Sequence, residues 1–159
     1  MIYTLYHKDI PVLEFKVEED EITDVLTIMN NRHLPVDVFK DYERGVSQRQ
    51  QFRAWWRSRA IPASRQNLRD ALELLGNITT EQLVTRAFGL SLSDQYWAKP
   101  IQSSLEWKDV NFFENDFSED VGKVLFGTLD IKDISSLSLL SPDNTSGGWL
   151  KKKWIIDNG

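Results

Sequence analysis

The chain has 159 residues, 41% of them apolar, 27% charged and 11% aromatic, which is enough to bury a core without staples and too apolar for a disordered polymer. It has no cysteine and two histidines, His7 and His33, so a disulfide scaffold, a thiolate metal site and a cysteine nucleophile are excluded, and a zinc or Ser-His-Asp enzyme has little to be built from. The net charge of −5 hides a segregation: seven of the nineteen basic residues, and none of the twenty-four acids, fall between Arg44 and Arg69.

The first thirty residues predict strands. Ile2-Tyr3-Thr4-Leu5-Tyr6 is β-branched and aromatic, and His7-Lys8-Asp9 is a turn. In the next run Leu13, Phe15 and Val17 share one face while Glu14 and Lys16 take the other. An acidic turn over 18–21 leads to a third strand over 22–29, which Asn30-Asn31 stops. Three strands with one apolar face need a layer packed against it.

The middle of the chain supplies helices. Residues 47–59 place Phe52, Trp55 and Trp56 at helical spacing opposite a basic face, and Ile61-Pro62 ends that helix. Ser64 is read as the cap of a second helix carrying Leu68, Ala71, Leu72 and Leu75, which Gly76 stops. Thr79 and Gln82 have capping-box spacing for a third, which runs through Leu83, Val84, Ala87 and Phe88 to Gly89. Residues 90–117 carry Trp97, Trp107, Phe112, Phe113 and Phe117 without clear periodicity and read as an irregular stretch pinned by its aromatics. Ser118-Glu119-Asp120 starts a helix over 121–126 that Gly127 ends. Residues 141–148 are a loop by composition, and 149–156 read as a strand. The Asn158-Gly159 pair is a hairpin signal with no strand after it, which predicts that the chain is part of something longer; the plain alternative is a frayed three-residue tail, with the strand pairing back onto the N-terminal meander. No apolar run reaches the roughly 18 residues of a membrane helix, and the N-terminus lacks the pattern of a signal peptide; the expectation is a cytoplasmic protein with no membrane partner.

Two segments carry candidate chemistry. The loop over 141–148 holds glycines and hydroxyls beside a lysine run, so Ser141, Asp143, Thr145 and Gly147, with Lys151 and Lys153 on the following strand, form a candidate phosphate-holding set. It matches neither a Walker A pattern nor GxGxxG, and its plain alternative is a glycine turn before a solvated lysine strand. Arg49, Arg53 and Arg57 stand at i, i+4, i+8 and share a helix face able to track phosphates, as in a small DNA-binding accessory protein. The alternative there is pairing with acids elsewhere, including Glu43, Asp70 and Glu73. The carboxylates of 18–21 and 114–120 look like solvated turn and helix-start charges, and His33 like a satisfied loop or interface residue rather than a base. A third reading is a protein-binding module that uses exposed aromatics such as Trp97 and Trp107.

Several strings resemble the N-terminal region of bacterial HipA-like serine/threonine kinases, in a branch whose members are sometimes labelled excisionase-like. They are Arg32-His33-Leu34-Pro35-Val36; Trp55-Trp56 with Ile61-Pro62-Ala63-Ser64-Arg65; and Gly89-Leu90-Ser91-Leu92-Ser93-Asp94-Gln95-Tyr96-Trp97. Trp107-x-x-Val110-Asn111-Phe112-Phe113, Phe117-Ser118-Glu119-Asp120 and Ser141-Pro142-Asp143-x-x-Thr145-x-Gly147, leading into Lys151 to Trp154, complete them. The resemblance covers nearly the whole chain. The elements read above make an α+β fold in which an N-terminal antiparallel meander packs on a helical middle over residues 1–135, and the resemblance implies that this region precedes a kinase-like fold. Residues 136–159 then open a kinase-like nucleotide-binding lobe, incomplete at Gly159. ATP and Mg are the cofactors it implies for a full-length parent, with none expected for this chain alone. In such kinases a lysine on a following strand and downstream aspartates serve phosphoryl transfer; none of that follows Gly159 here, so residues 1–159 are expected to be inactive. The implied partners are the remainder of the kinase or a separate catalytic chain, and a helix-turn-helix antitoxin protein; nucleic acid ranks lower.

Overall fold

A computed structural model describes residues 1–36, 38–39, 46–62, 64–65, 68–128, 138–145 and 153–158. Strands β1 (Ile2–His7), β2 (Ile10–Glu18) and β3 (Glu21–Ile28) form the expected meander. Its second turn is tight: Glu19 and Asp20 both adopt positive φ, 51° and 62°, the left-handed pair that matches strand twist. Neither residue favours that conformation, and helix α3 (Thr80–Arg86) compensates. Gln82 Nε2 donates to the Glu19 carbonyl at 2.9 Å, and Arg86 Nε donates to Asp20 Oδ2 at 2.7 Å.

Helix α1 (Gln48–Ser58) lies over the sheet. Ser47 caps it in a full capping box with Gln50, and its inward stripe delivers Phe52 and Trp56 onto Phe15, with ring centres 5.1 and 5.8 Å away. These rings join Leu5, Val12, Leu13, Val17, Ile22 and Val84 in the main core. Burying a side chain such as Phe52 contributes about 1.5–3 kcal/mol relative to leaving it in water. Helix α2 (Leu68–Leu74) starts later than the Ser64 cap predicts, because Arg65 N–H bonds to the Pro62 carbonyl in a turn after the proline. Thr79 caps α3 with Gln82 as the spacing predicts. Helix α5 (Asp120–Phe126) ends at Gly127, whose φ is 78°. Leu68, Ala71, Ile78, Leu83, Val121, Val124 and Leu125 form a second cluster among these helices.

The stretch 90–117 departs from expectation. Tyr96–Pro100 is a fourth strand, β4, antiparallel to β1, so the sheet order is β3-β2-β1-β4. Its burial on both faces removes the polar alternation that marks a strand in sequence. Trp97 pairs with Tyr6 on the face opposite Leu5 and Ala98. There it meets Leu90, Trp107, Val110 and Phe112 in a third cluster, with the short helix α4 (Trp107–Val110) as its cover. Trp97 and Trp107 are 1% and 8% exposed, so these two rings are core and not the exposed docking aromatics that the sequence suggested. Among the described residues, 153–158 form no strand, which removes the C-terminal half of the strand expected over 149–156; the remainder lies outside the described residues. The chain is thus α+β, a four-stranded antiparallel sheet with helices. Among the described residues no helix is long and apolar enough to cross a membrane.

Candidate functional site

Among the described residues, 141–145 and 153–156 share a buried polar network. Residues Pro142–Thr145 form a 3-10 turn whose Pro142, Asp143 and Asn144 are buried. Ser141 Oγ donates to Asp143 Oδ2 at 3.1 Å and accepts the Asp143 N–H at 3.3 Å. The Asp143 carboxylate in turn accepts the backbone N–H of Trp154 at 3.1 and 3.2 Å. Asp143 and Trp154, eleven positions apart, are therefore tied by one buried side chain. Glu119 Oε1 adds a second tie by accepting the Ile156 N–H at 3.2 Å.

Helix α5 carries the seat for this knot. Gly122 lies inside the helix, where glycine costs about 1 kcal/mol relative to alanine. A Cβ there would stand 2.6 Å from Asp143 Oδ2 and 2.6 Å from Lys153 Cβ. Close approach of the loop base to the helix backbone is the reason this position is glycine. Thr145 Oγ1 donates to the Leu90 carbonyl at 3.3 Å, fastening the turn to the segment after α3. Asn144 Nδ2 reaches the Leu139 carbonyl at 2.5 Å, and its buried Oδ1 has no hydrogen-bond partner. Burial pushes the Arg65 guanidinium below its ordinary pKa, and the carboxylate of Asp143 opposes that shift.

Beside the turn lies a polar cavity of about 220 Å³ lined by Trp55, Ser58, Arg59, Ser91, Asp94 and Thr145. Arg59 dominates it. Its guanidinium forms two bonds with the Asp94 carboxylate, at 2.5 and 3.0 Å, donates to the Gly89 carbonyl at 2.6 Å and lies 4.8 Å from the centre of the Trp55 ring. The charge in the cavity is thereby balanced internally. Ser91 and Ser93 share a hydroxyl contact of 2.7 Å.

The residues named as a phosphate-holding set divide accordingly. Ser141 and Asp143 are buried and spend their polar atoms on the loop base; Thr145 fastens the turn; Lys153 places its ammonium 6.0 Å from the Phe126 ring centre. Gly147 and Lys151 lie outside the described residues.

The arginine face is met by acids. Arg53 Nε donates to Glu81 Oε1 at 3.2 Å and its Nη2 also bonds Glu21; Arg57 Nε bonds the other Glu81 oxygen. Arg49 Nη1 reaches the Thr23 carbonyl at 3.5 Å. Of the acids expected to pair with these arginines, Glu73 takes Arg69 at 3.2 Å, while Glu43 lies outside the described residues. The principal acceptor, Glu81, was missed from sequence. Its side chain is 5% exposed, and it also accepts the Ile22 N–H at 3.4 Å, so one carboxylate joins α1, α3 and the edge of β3. As a first-turn acid of α3 it carries no signal of that role. Asp94 and Gly122 were missed in the same way, since their partners are distant in sequence.

No protein-family model matches the chain, and no curated protein or solved structure was found to match it.

Proposed function

We propose that this chain is a non-catalytic docking and regulatory domain of a HipA-like serine/threonine kinase of toxin-antitoxin type, and that residues 141–154 open its nucleotide-binding lobe, with the 141–148 loop over the ATP phosphates. What supports the reading is the closure of that segment by Asp143 over Gly122, together with the string resemblance. A buried carboxylate set over a helix-interior glycine fixes the position of this segment, and positioning of backbone N–H groups is what a phosphate-facing loop requires. In this reading Ser141 and Asp143 shape the loop from below, and ligand contact falls to the residues between Thr145 and Lys153. The lysine, general base and metal-holding aspartates of phosphoryl transfer come from a catalytic region outside residues 1–159.

The test has two arms. Reading the coding DNA past the Gly159 codon is expected to show an open frame that continues into a lysine-bearing strand and aspartate-containing loops. The whole encoded product is then expected to transfer phosphate from ATP, and Gly122→Ala to slow that transfer by up to roughly a hundredfold by displacing the loop base. Phosphoryl transfer by residues 1–159 alone would overturn the reading. So would a stop codon at that point with no catalytic chain co-purifying.

A further inference from the structure

The two histidines of the chain, 26 positions apart, meet at the end of the sheet. His7 closes β1 and His33 closes the 3-10 turn Asn31–His33 that follows β3. Their Nδ1 atoms are 2.9 Å apart. Tyr96 holds both: its ring stacks on His7, with centres 4.8 Å apart at 24°, and its hydroxyl donates to the His33 carbonyl at 3.1 Å.

That contact restricts the proton count. One Nδ1 must carry hydrogen and the other must offer its lone pair. A neutral pair satisfies this. A singly charged pair does too, because the added proton sits on Nε2 of the donor ring and the bridge survives. A second proton must occupy the accepting Nδ1, and then two N–H groups and two positive charges face one another. The surroundings give little relief. Lys8, next along the hairpin, adds positive charge, Tyr96 is neutral, and Arg32 on the turn itself is exposed. Asp94 is the acid nearby, and both of its oxygens are engaged by Arg59. Burial first, then His33 and Lys8, hold His7 below its ordinary pKa, with Asp94 opposing.

We propose that the His7–His33 pair is a proton-operated latch: it holds the Asn31–His33 turn on the end of the sheet while it carries at most one proton, and releases the turn when it takes the second. The turn leads into Leu34, Val38 and Phe39, which pack on the main core beside Trp55. Release therefore reshapes the groove of about 450 Å³ that Val36 lines with Gln50, Trp55 and Ser58.

Imidazole nitrogen–proton spectra of the whole chain, recorded from pH 8 to 4.5 alongside amide protection factors for residues 31–34, test this. Two separated titration steps are expected, the lower lying below the ordinary histidine value of about 6.5. Across the lower step, protection of the turn is expected to fall roughly tenfold for each unit of depression. In His33→Asn, which keeps a polar partner for His7 but takes no proton, the fall in protection is expected to shrink to the smaller part that the burial of His7 carries by itself. His7→Asn reads the same coupling from the other side if that variant fails to fold. Two rings titrating independently near the ordinary value, or turn protection that ignores pH in the wild-type chain, overturn the proposal. So does acid-dependent loss as large in His33→Asn as in the wild-type chain.

Discussion

Glu81 shows how a single side chain organises its surroundings. It is buried, it accepts from two arginines and one strand-edge amide, and its removal leaves all three donors without their acceptor. Glu81→Ala is expected to lower stability by about 1–3 kcal/mol in chemical denaturation, less than a fully buried ion pair would cost because both arginines can reach water. Arg69→Ala is the control: its side chain is 90% exposed, and the change expected is within about 0.5 kcal/mol. Gly89 is constrained twice, by a φ of +65° and by the Trp56 ring, whose nearest atom would stand 2.3 Å from an added Cβ. The indole cannot move aside freely, because it is 1% exposed and its Nε1–H is bonded to Thr85 Oγ1 at 3.1 Å. Gly89→Ala is therefore expected to cost about 2–4 kcal/mol and to alter the tryptophan emission of the folded state. Gly76, with φ +98° and open space around it, is expected to cost only about 1–2 kcal/mol as alanine. The comparison of the two separates backbone strain from steric collision.

At the scale of elements, the turn between β2 and β3 is the clearest conflict between local preference and tertiary demand. Glu19 and Asp20 sit in the left-handed region because α3 holds them there through Gln82 and Arg86. Glu19→Asn keeps the carbonyl that Gln82 uses and supplies a residue suited to that conformation. A gain of a few tenths to about 1 kcal/mol is expected, read as a higher midpoint in urea with an unchanged slope. The elements that were legible beforehand share a trait: each carries a local mark in sequence. The meander alternates, α1 carries an aromatic stripe, and α3 announces itself with Thr79 and Gln82. β4 was not legible, because Trp97 and Ala98 are both buried while neighbouring on opposite faces, so its periodicity vanishes. The start of α2 departs from expectation because Ser64 has the chemistry of a cap, while the turn closed by Arg65 and Pro62 delays the helix.

For the whole molecule, charge is distributed so that the arginine-rich helix faces the acids of β3 and α3. Arg53→Ala and Arg57→Ala are accordingly expected to reduce stability by about 0.5–2 kcal/mol each, and Arg49→Ala by less than about 0.5 kcal/mol, in denaturant titrations. Were the face a phosphate tracker, all three would instead change salt-dependent DNA affinity and leave stability alone. Acid weakens the fold through His7. Its folded pKa lies below the unfolded value, so the unfolded chain binds the proton more readily. The histidine contribution is full above about pH 6.5 and declines as the pH falls toward the depressed folded value. Stability measured between pH 7.5 and 5 is expected to show this decline, and His7→Asn to flatten it.

What the sequence determined by itself is what depends on near neighbours: the α+β class, the meander, the capped helices, and the absence of thiol chemistry. Periodicity, capping spacing and composition are local, and they survive when the rest of the chain is ignored. The tertiary structure alone decided that Glu81 would gather Arg53 and Arg57, that Asp143 would close a loop on Gly122, and that His7 would meet His33. Each of these joins positions that only folding brings together. A carboxylate or imidazole read in isolation carries no mark of the partner that burial will oblige it to find.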